Sequence, residues 1–167
     1  MHDKLTQSDI DKMQEEIDHR KLVLRKELIE SVKEARAHGD LSENFEYHAA
    51  KQAKNQNESR IRYLENMIRT AVIVEDRSAD DEVGLNKRVI IRFEEDGEEE
   101  EYKIVTSVRG DSLSGRITPD SPLGSALMGH RAGDRVHVEV SPAVGYDVTV
   151  CSVTNTGEEA ADVLRSY

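Results

Sequence analysis

Three acidic residues, Asp40, Glu43 and Glu46, lie three positions apart in a short polar stretch between two long helical patterns. The run from Asp40 to Glu43 has the form of a capping box, in which side-chain oxygens bind backbone N–H groups at the start of a helix. The same carboxylates, placed where a helical hairpin turns, are groups that a protein can present to a cavity of another molecule. Spacing alone leaves both interpretations open.

Patterns typical of enzymes and nucleotide sites are incomplete in this chain. Segments 110–115 and 124–129 have the G-x-x-x-x-G spacing of a phosphate loop, but neither is followed by the required Lys-Ser/Thr. There is no H-E-x-x-H or G-x-S-x-G motif, and the six His residues have no spacing that indicates a triad or a metal. The single cysteine, Cys151, excludes an intrachain disulfide, and no Cys/His pattern predicts a zinc site.

Charge and hydropathy limit the partners. Of 167 residues 34% are charged, with 23 Lys and Arg against 34 Asp and Glu, so the formal net charge is −11. This balance argues against a protein whose whole surface binds nucleic acid, although it is compatible with a local basic face. No apolar run reaches the roughly 20 residues that span a bilayer, and the first residues lack the order of a signal peptide. We therefore expect a cytoplasmic protein without membrane association.

Composition changes near residue 78. Nine of the ten Gly, all three Pro and twelve of the sixteen Val follow this position. Because Gly and Pro favour turns and Val favours strands, the sequence predicts a helical domain at 1–78 and a mainly β domain at 79–167. The second domain holds 9 basic and 18 acidic side chains, so most of the negative charge belongs to it.

Apolar residues of the first domain recur every three, four or seven positions and form two helical stripes. The first stripe comprises Ile10, Met13, Ile17, Leu24, Leu28, Val32 and Ala35, and the second comprises Ala49, Ala53, Asn57, Ile61, Leu64 and Ile68. Gly39 can end the first helix, and Asp40 or Ser42 can cap the second. Because the link is short, the pattern predicts an antiparallel hairpin about 45 Å long. A coiled-coil dimerisation scaffold is one interpretation of this arm.

Strand alternation dominates the second domain. Strands are predicted at 88–93 and 101–108, joined by an acidic turn around Asp96-Gly97, and then at 116–118, 136–140 and 146–150. A helical turn is predicted within 121–129. For the tail from residue 154 we expect a loop and a short terminal helix, with no recognisable chemistry. The whole chain is therefore predicted to be an α+β protein with a small antiparallel sheet.

A long motif at the hairpin turn resembles a known family. Residues 34–50, Glu-Ala-Arg-Ala-His-Gly-Asp-Leu-Ser-Glu-Asn-Phe-Glu-Tyr-His-Ala-Ala, closely resemble the tip motif of the bacterial Gre transcript-cleavage factors, the GreA/GreB class. The resemblance continues through 61–76, 120–129 and Gly133-Asp134, and covers nearly the whole chain up to about Val153. It implies an N-terminal antiparallel coiled-coil hairpin followed by a small FKBP-like antiparallel β-sheet domain with a short helix.

This resemblance also implies a function. In the family, the arm enters the secondary channel of RNA polymerase, into which a backtracked enzyme extrudes the nascent RNA 3′ end. Asp40 and Glu43 are then the catalytic carboxylates, which help to hold a Mg²⁺ ion shared with the polymerase active site only within that complex. The resemblance further implies that the chain binds no cofactor tightly. It also implies that the chain is not an enzyme but a monomeric activator of the polymerase's own endonuclease activity.

A second segment is expected to contact the polymerase. Asp120, Ser121 and Pro122 match the family segment that contacts the rim coiled coil of the largest polymerase subunit. From the residues alone they indicate a turn with a Pro-fixed backbone. Phe45 and Tyr47 are predicted to pack near the hairpin turn. Four basic residues of the arm either contact RNA or form an ordinary solvated face. These are Lys33, Arg36, Lys51 and Lys54.

Two departures from the family pattern leave alternatives open. Segment 107–113 lacks the acidic stretch usual in the family, and the tail after Val153 is longer than expected. A relative that occupies the polymerase channel and regulates it without cleavage is therefore one alternative. A peptidyl-prolyl isomerase or chaperone is another, although the second domain holds few aromatic residues for a proline pocket. A plain coiled-coil scaffold is the third.

Overall fold

The structure is a computed structural model that describes residues 2–39 and 44–166. It has an α+β architecture that divides into two compact units. The first unit is built on Gln7–Val72, and the second on residues 73–166 together with Lys4–Thr6. In the described ranges, no helix is both long and apolar enough to cross a membrane.

An antiparallel pair of helices forms the first unit. One helix runs for 30 residues as α1 (Gln7–His19), a π-helical turn (Arg20–Leu24) and α2 (Arg25–Arg36), and the other is α3 (Phe45–Thr70). The buried apolar side chains of the pair all belong to the two predicted stripes. They are Met13, Ile17, Ala35, Ile61 and Leu64. The helical periodicity of the sequence is therefore confirmed.

Charged contacts between the helices set their register. Arg25 of α2 donates two hydrogen bonds, of 2.7 and 2.9 Å, to the carboxylate of Glu58 in α3. In α1, Glu16 Oε2 accepts a hydrogen bond of 2.8 Å from Arg20 and another of 2.8 Å from Arg60 of α3. Burial opposes the ionisation of Glu16, but the hydrogen bonds from Arg60 and Arg20 outweigh it and lower the pKa of this carboxyl.

The π-helical turn has a local cause. The N–H of Arg25 donates to the carbonyl of Arg20, five residues earlier. That carbonyl also accepts a hydrogen bond of 3.3 Å from the side-chain amide of Asn57, which is buried in α3. Insertion of a side chain into the helical hydrogen-bond ladder is a recognised cause of such irregular turns. Asn57, the polar residue of the second stripe, thus accounts for the π-helical turn in the opposite helix.

Two short strands flank the helices in the sequence, and neither is predicted. They are β1 (Lys4–Leu5) and β2 (Val72–Ile73). Within the first unit, the N–H of Val72 donates a hydrogen bond of 2.9 Å to the carbonyl of Asp3. Within the second unit, the N–H of Val74 donates one of 2.8 Å to the carbonyl of Leu5.

The second unit contains a five-stranded sheet in the order β5-β4-β3-β7-β6. The strands are β3 (Lys87–Phe93), β4 (Glu99–Ile104), β5 (Arg116–Ile117), β6 (Arg135–Ser141) and β7 (Val144–Asn155). All neighbouring strands pair antiparallel except β4 and β5, which are parallel. The prediction of a purely antiparallel sheet is therefore wrong at β5. Residues 105–115, with two 3₁₀ turns, form a crossover long enough to return the chain in the direction of β4.

Period-two alternation along the strands builds the core of this unit. The buried apolar strand residues of this core are Val89 and Ile91 on β3, Ile104 on β4, Val136 and Val138 on β6, and Val148 and Val150 on β7. The short helix α4 (Pro122–Leu127) adds Leu127 to the same cluster. The predicted helical turn and the predicted strands at 88–93, 136–140 and 146–150 are thus confirmed. The strand predicted to reach Val108 ends at Ile104 instead.

Candidate functional site

The end of the helical pair is the first candidate site. The first helix ends at Arg36, and Gly39 follows with a φ of +133°, a conformation that favours glycine. The second begins at Phe45, with Asn44 as its N-cap. Asn44 Oδ1 accepts a hydrogen bond of 3.0 Å from the N–H of Tyr47, and Asn44 Nδ2 donates one of 2.6 Å to the carbonyl of Ala35. One side chain therefore fastens the start of α3 to the end of α2.

This arrangement corrects the predicted cap. Asn44, and neither Asp40 nor Ser42, is the N-cap of α3. The capping-box prediction for Asp40-Leu41-Ser42-Glu43 falls outside the described residues. The two predicted catalytic and metal-binding residues, Asp40 and Glu43, lie outside the described residues. What the structure describes is the pair of helix ends that flank them. Glu46 lies in the first turn of α3, where its side chain is exposed.

Aromatic and basic side chains surround this helix end. The guanidinium of Arg36 lies 5.6 Å from the ring centroid of Tyr47, whose ring meets that of His48 edge-on at 5.4 Å. A hydrogen bond with Arg36 and the charge of Lys51 lower the pKa of the Tyr47 hydroxyl. Phe45 does not pack as predicted, because 87% of its surface is exposed. This helix end therefore carries an aromatic ring and the cations Arg36 and Lys51 near one another.

The described residues offer no complete set of metal ligands. Among them, no group of three or more His, Cys, Asp or Glu side chains could hold a metal ion. The carboxylates of Asp40 and Glu43 are hard oxygen donors of the kind that Mg²⁺ prefers, but two such groups supply too few ligands for its octahedral shell. Their chemistry fits a site that is shared with another molecule.

The second candidate site is the turn that leads into α4. Thr118 Oγ1 donates a hydrogen bond of 2.6 Å to Asp120, and Ser121 Oγ donates one of 2.7 Å to the carbonyl of Thr118. Ser121 is also the N-cap of α4, because its Oγ accepts a hydrogen bond of 3.1 Å from the N–H of Gly124. A Cβ atom at Gly124 would lie 2.0 Å from the Thr118 carbonyl oxygen, so only glycine permits this close turn.

The three predicted polymerase-binding residues differ in exposure and in hydrogen bonding. Asp120 and Pro122 are exposed, whereas Ser121 is half-buried and occupied by its two hydrogen bonds. The structure thus brings all three together, with Ser121 supporting the turn and the other two facing solvent.

Sequence reasoning missed a cluster of charged residues around the tail. The predicted terminal helix is wrong, since residues 156–166 contain no helix. Instead, the carboxylate of Asp162 is 3% exposed, binds Lys103 Nζ and accepts a hydrogen bond of 2.9 Å from Arg116 Nε. Because these partners lie 59 and 46 residues apart from Asp162 in the sequence, no local pattern indicates the contact.

Family models match most of the chain. The model described as "Transcription elongation factor, N-terminal" matches residues 4–73, and that described as "Transcription elongation factor, GreA/GreB, C-term" matches residues 78–155. The tail from residue 156 onward follows the second match.

Curated relatives carry the same description. Transcription elongation factor GreA of Geobacillus kaustophilus is 48% identical over 136 residues, which cover 81% of this chain and 86% of the relative. That of Bacillus cytotoxicus is 43% identical over 150 residues, covering 89% and 94%. Among solved structures, that of the transcription factor Gfh1 is 26% identical and covers 92% of this chain and 97% of the Gfh1 chain, with a TM-score of 0.45.

Proposed function

Because the chain belongs to the GreA/GreB family of transcription elongation factors, we propose that it binds bacterial RNA polymerase and stimulates cleavage of backtracked nascent RNA. In this proposal the helical pair is a coiled-coil arm that enters the secondary channel, where the RNA 3′ end is extruded. Polymerase performs the hydrolysis and the chain has no nuclease activity of its own. It acts as a monomer in the cytoplasm, where the polymerase is found.

The observation that carries this proposal is the construction of the arm end. A helix of 30 residues rises about 45 Å, and ion pairs such as Arg25–Glu58 hold it against α3. Asn44 then fixes the two helix ends on either side of residues 40–43. Carboxylates on such a support can be delivered to a distant active site with little loss of conformational entropy on arrival.

Asp40 and Glu43 are the proposed catalytic carboxylates. They complete the ligand set of a Mg²⁺ ion in the polymerase active site and orient the attacking water towards the phosphodiester. When bound there, this ion and the other catalytic Mg²⁺ of the polymerase would together stabilise the charge on the attacking and leaving oxygens of an in-line displacement. The exposed cations near Tyr47, which include Arg36 and Lys51, support an interaction with the RNA phosphates.

The second domain, residues 79–167, is proposed to be an FKBP-like module that docks on the rim coiled coil of the largest polymerase subunit. Exposure of Asp120 and Pro122 on a turn that Ser121 and Gly124 hold in place supports this role. We expect Asp120→Ala to weaken polymerase binding, while Ser125→Ala, a change at an exposed position of the adjoining helix α4, leaves it unaltered. Equal affinities of the two variants would contradict the assignment of the docking residues.

The proposed function is tested on a backtracked elongation complex assembled with 3′-labelled RNA. Added protein and Mg²⁺ should release short labelled products, and the double variant Asp40→Ala, Glu43→Ala should bind polymerase but release none. The matched control is Glu27→Ala, Glu34→Ala, which removes two exposed carboxylates from α2. Cleavage in the presence of the Asp40→Ala, Glu43→Ala variant would exclude the carboxylates of Asp40 and Glu43 from the mechanism. Binding without products by the wild type would make the chain a channel-occupying regulator.

A further inference from the structure

Four cations that hold the tail come from four separate elements of the second unit. Arg88 lies on β3, Lys103 on β4, Arg109 in the first 3₁₀ turn and Arg116 on β5. They are four of the nine Lys and Arg residues between 79 and 167, a stretch with 18 acidic residues. Lys103 and Arg109 are only 7% and 6% exposed. These four residues form what we call the basic cleft.

Three carboxylates of the tail neutralise this cleft. Glu158 Oε1 lies 3.5 Å from Arg109. Glu159 Oε1 lies 3.2 Å from both Lys103 and Arg88. The third carboxylate is that of Asp162, described above. The tail therefore occupies the basic cleft as an acidic peptide of the form Glu-Glu-x-x-Asp.

We propose that the basic cleft is a binding site for an acidic peptide segment of a partner protein, and that the tail is its intramolecular occupant. This inference goes beyond transcript cleavage and does not depend on it. It concerns a surface that the family matches do not include in full, because the tail begins after residue 155.

The cleft recognises peptide main chain as well as carboxylates. Lys103 Nζ donates a hydrogen bond of 2.7 Å to the carbonyl of Gly157, and Arg109 Nη1 donates one to the carbonyl of Asp162. A nucleic-acid backbone has phosphates but no such carbonyls. With 9 basic and 18 acidic side chains, residues 79–167 also repel a long polyanion. These features favour an acidic peptide over single-stranded RNA.

The contacts of the tail suit an occupant that can be exchanged. Residues 156–166 form no helix or strand, and the exposed fraction of Val163 is 66%. Among the described residues, the backbone bonds from the tail to the rest of the unit are those of Thr156 to Asn86 and of Arg165 to Val108. A cavity of about 140 Å³ remains beside the tail, lined by residues that include Arg88, Tyr102 and Arg116.

This cavity leaves room for a bulkier acidic segment. A tethered tail competes at an effective concentration of about millimolar, so a partner segment must make more contacts or be delivered by a larger complex. A partner segment with bulkier acidic side chains satisfies the first condition, because the cavity borders Arg88 and Arg116. Such a segment would compete with Glu101 for Arg88, since these two side chains lie 2.7 Å apart.

The first test uses the full chain and a fluorescent synthetic peptide with the sequence of residues 156–166. The variant Glu159→Gln, Asp162→Asn weakens the hold of the resident tail, and we expect it to bind the peptide at least tenfold more tightly than the wild type does. Adding Arg116→Gln should abolish the gain. A control peptide with Gln and Asn at the three acidic positions should not bind. Circular dichroism checks that each variant is folded.

Equal binding of the peptide by wild type and variant, or binding that survives Arg116→Gln, would overturn the proposal. An unlabelled single-stranded RNA that displaces the peptide at lower concentration than an acidic peptide does would assign the cleft to nucleic acid instead, and would also overturn it.

A second test needs no variant. In amide hydrogen exchange of the wild type, the N–H of Arg165, which donates to Val108 in the tail contact, should exchange at least tenfold faster than that of Val150, which donates to Asp134. Similar exchange rates would show that the tail opens only with the sheet, and would exclude an exchangeable occupant.

Discussion

Asn44 combines two capping interactions in one amide group. Its oxygen accepts from the N–H of Tyr47, and its nitrogen donates to the carbonyl of Ala35, the last buried residue of α2. Helix ends leave backbone groups without intrahelical partners, and here groups from two different helices share one side chain. The end of α2 and the start of α3 are therefore held together by this residue.

We predict that Asn44→Ala lowers the free energy of unfolding by about 1–2 kcal/mol, since an N-cap and a second hydrogen bond are lost together. Asn44→Asp keeps the acceptor and loses the donor, so its effect should be about half as large. Urea denaturation measures both. The control is Asn55→Ala on the exposed surface of α3, which should change stability by less than about 0.5 kcal/mol. If the control is equally destabilised, the capping role is wrong.

At the level of elements, the two helices are joined by polar contacts as much as by apolar ones. Arg60 is 4% exposed and lies beside Glu16, whose side chain is 25% exposed. A partly buried ion pair of this kind contributes mainly because removal of one partner leaves the other charge without compensation. The contact therefore specifies which residues of α1 and α3 face each other.

Glu16→Gln should lower the free energy of unfolding by about 1–2 kcal/mol at neutral pH, a value reduced for partial solvent screening. Because the pKa of Glu16 is lowered in the folded chain, its contribution is complete above the ordinary Glu pKa and is lost as the pH falls through the lowered value. The difference between wild type and variant should therefore shrink in acid. Urea denaturation across the pH range measures this.

The control for that prediction is Glu15→Gln, which removes an exposed ion pair with Lys12 of 3.6 Å. We expect a change of less than about 0.5 kcal/mol at any pH. A difference between Glu16→Gln and wild type that grows in acid would contradict the assigned pKa direction.

The tail should be released by acid for a related reason. Burial opposes the ionisation of Asp162, but hydrogen bonds from Lys103, the Glu159 N–H and Arg116 outweigh it and lower its pKa. The hydrogen bond from Lys103 also lowers the pKa of Glu159. The tail should thus stay bound above the ordinary carboxyl pKa of about 4 and detach as the pH falls through the lowered values.

The amide chemical shift of Arg165 in an NMR titration follows this release, since its N–H donates to Val108 only in the bound tail. A midpoint above the ordinary carboxyl pKa would show that the carboxylates are not stabilised by the cleft.

For the whole molecule, we predict that the isolated protein binds Mg²⁺ only weakly and cuts no RNA. Asp40 and Glu43 supply too few oxygens for an octahedral ion, and the described residues offer no other cluster. Titration calorimetry with Mg²⁺ should give no heat distinguishable from that of the Asp40→Ala, Glu43→Ala variant. Micromolar binding that disappears in this variant would contradict a site shared with polymerase.

Periodic features of the sequence predicted the elements well. The apolar stripes placed Met13, Ile17 and Leu64 in the helical core, and alternation placed Val138 and Val148 in the sheet. These assignments succeeded because burial of one face repeats with the period of the element. The family resemblance that the motif at 34–50 indicates is confirmed, whereas the coiled-coil and FKBP-like details and the roles of Asp40 and Glu43 stay predictions.

Features that depend on distant partners could not be predicted in the same way. Burial of Arg60 requires Glu16 on another helix, and burial of Asp162 requires Lys103 and Arg116 on two strands. The parallel pairing of β5 depends on the path of residues 105–115, which short-range patterns do not determine. The N-cap at Asn44 was missed because several polar or acidic candidates precede α3, and only the helix geometry distinguishes them.

The position of β7 affects how the chain folds on the ribosome. β7 lies between β3 and β6 although it follows both in the sequence. Synthesis proceeds from the N-terminus, so the residues of α1, α2 and α3 can pair locally while the sheet still lacks an inner strand. Until residues 144–155 have emerged, β3 keeps one open edge and β6 has no paired neighbour, so both strands can pair with a neighbouring nascent chain. The interval between translation of β3 and of β7 is therefore the period in which this protein is most exposed to misassembly.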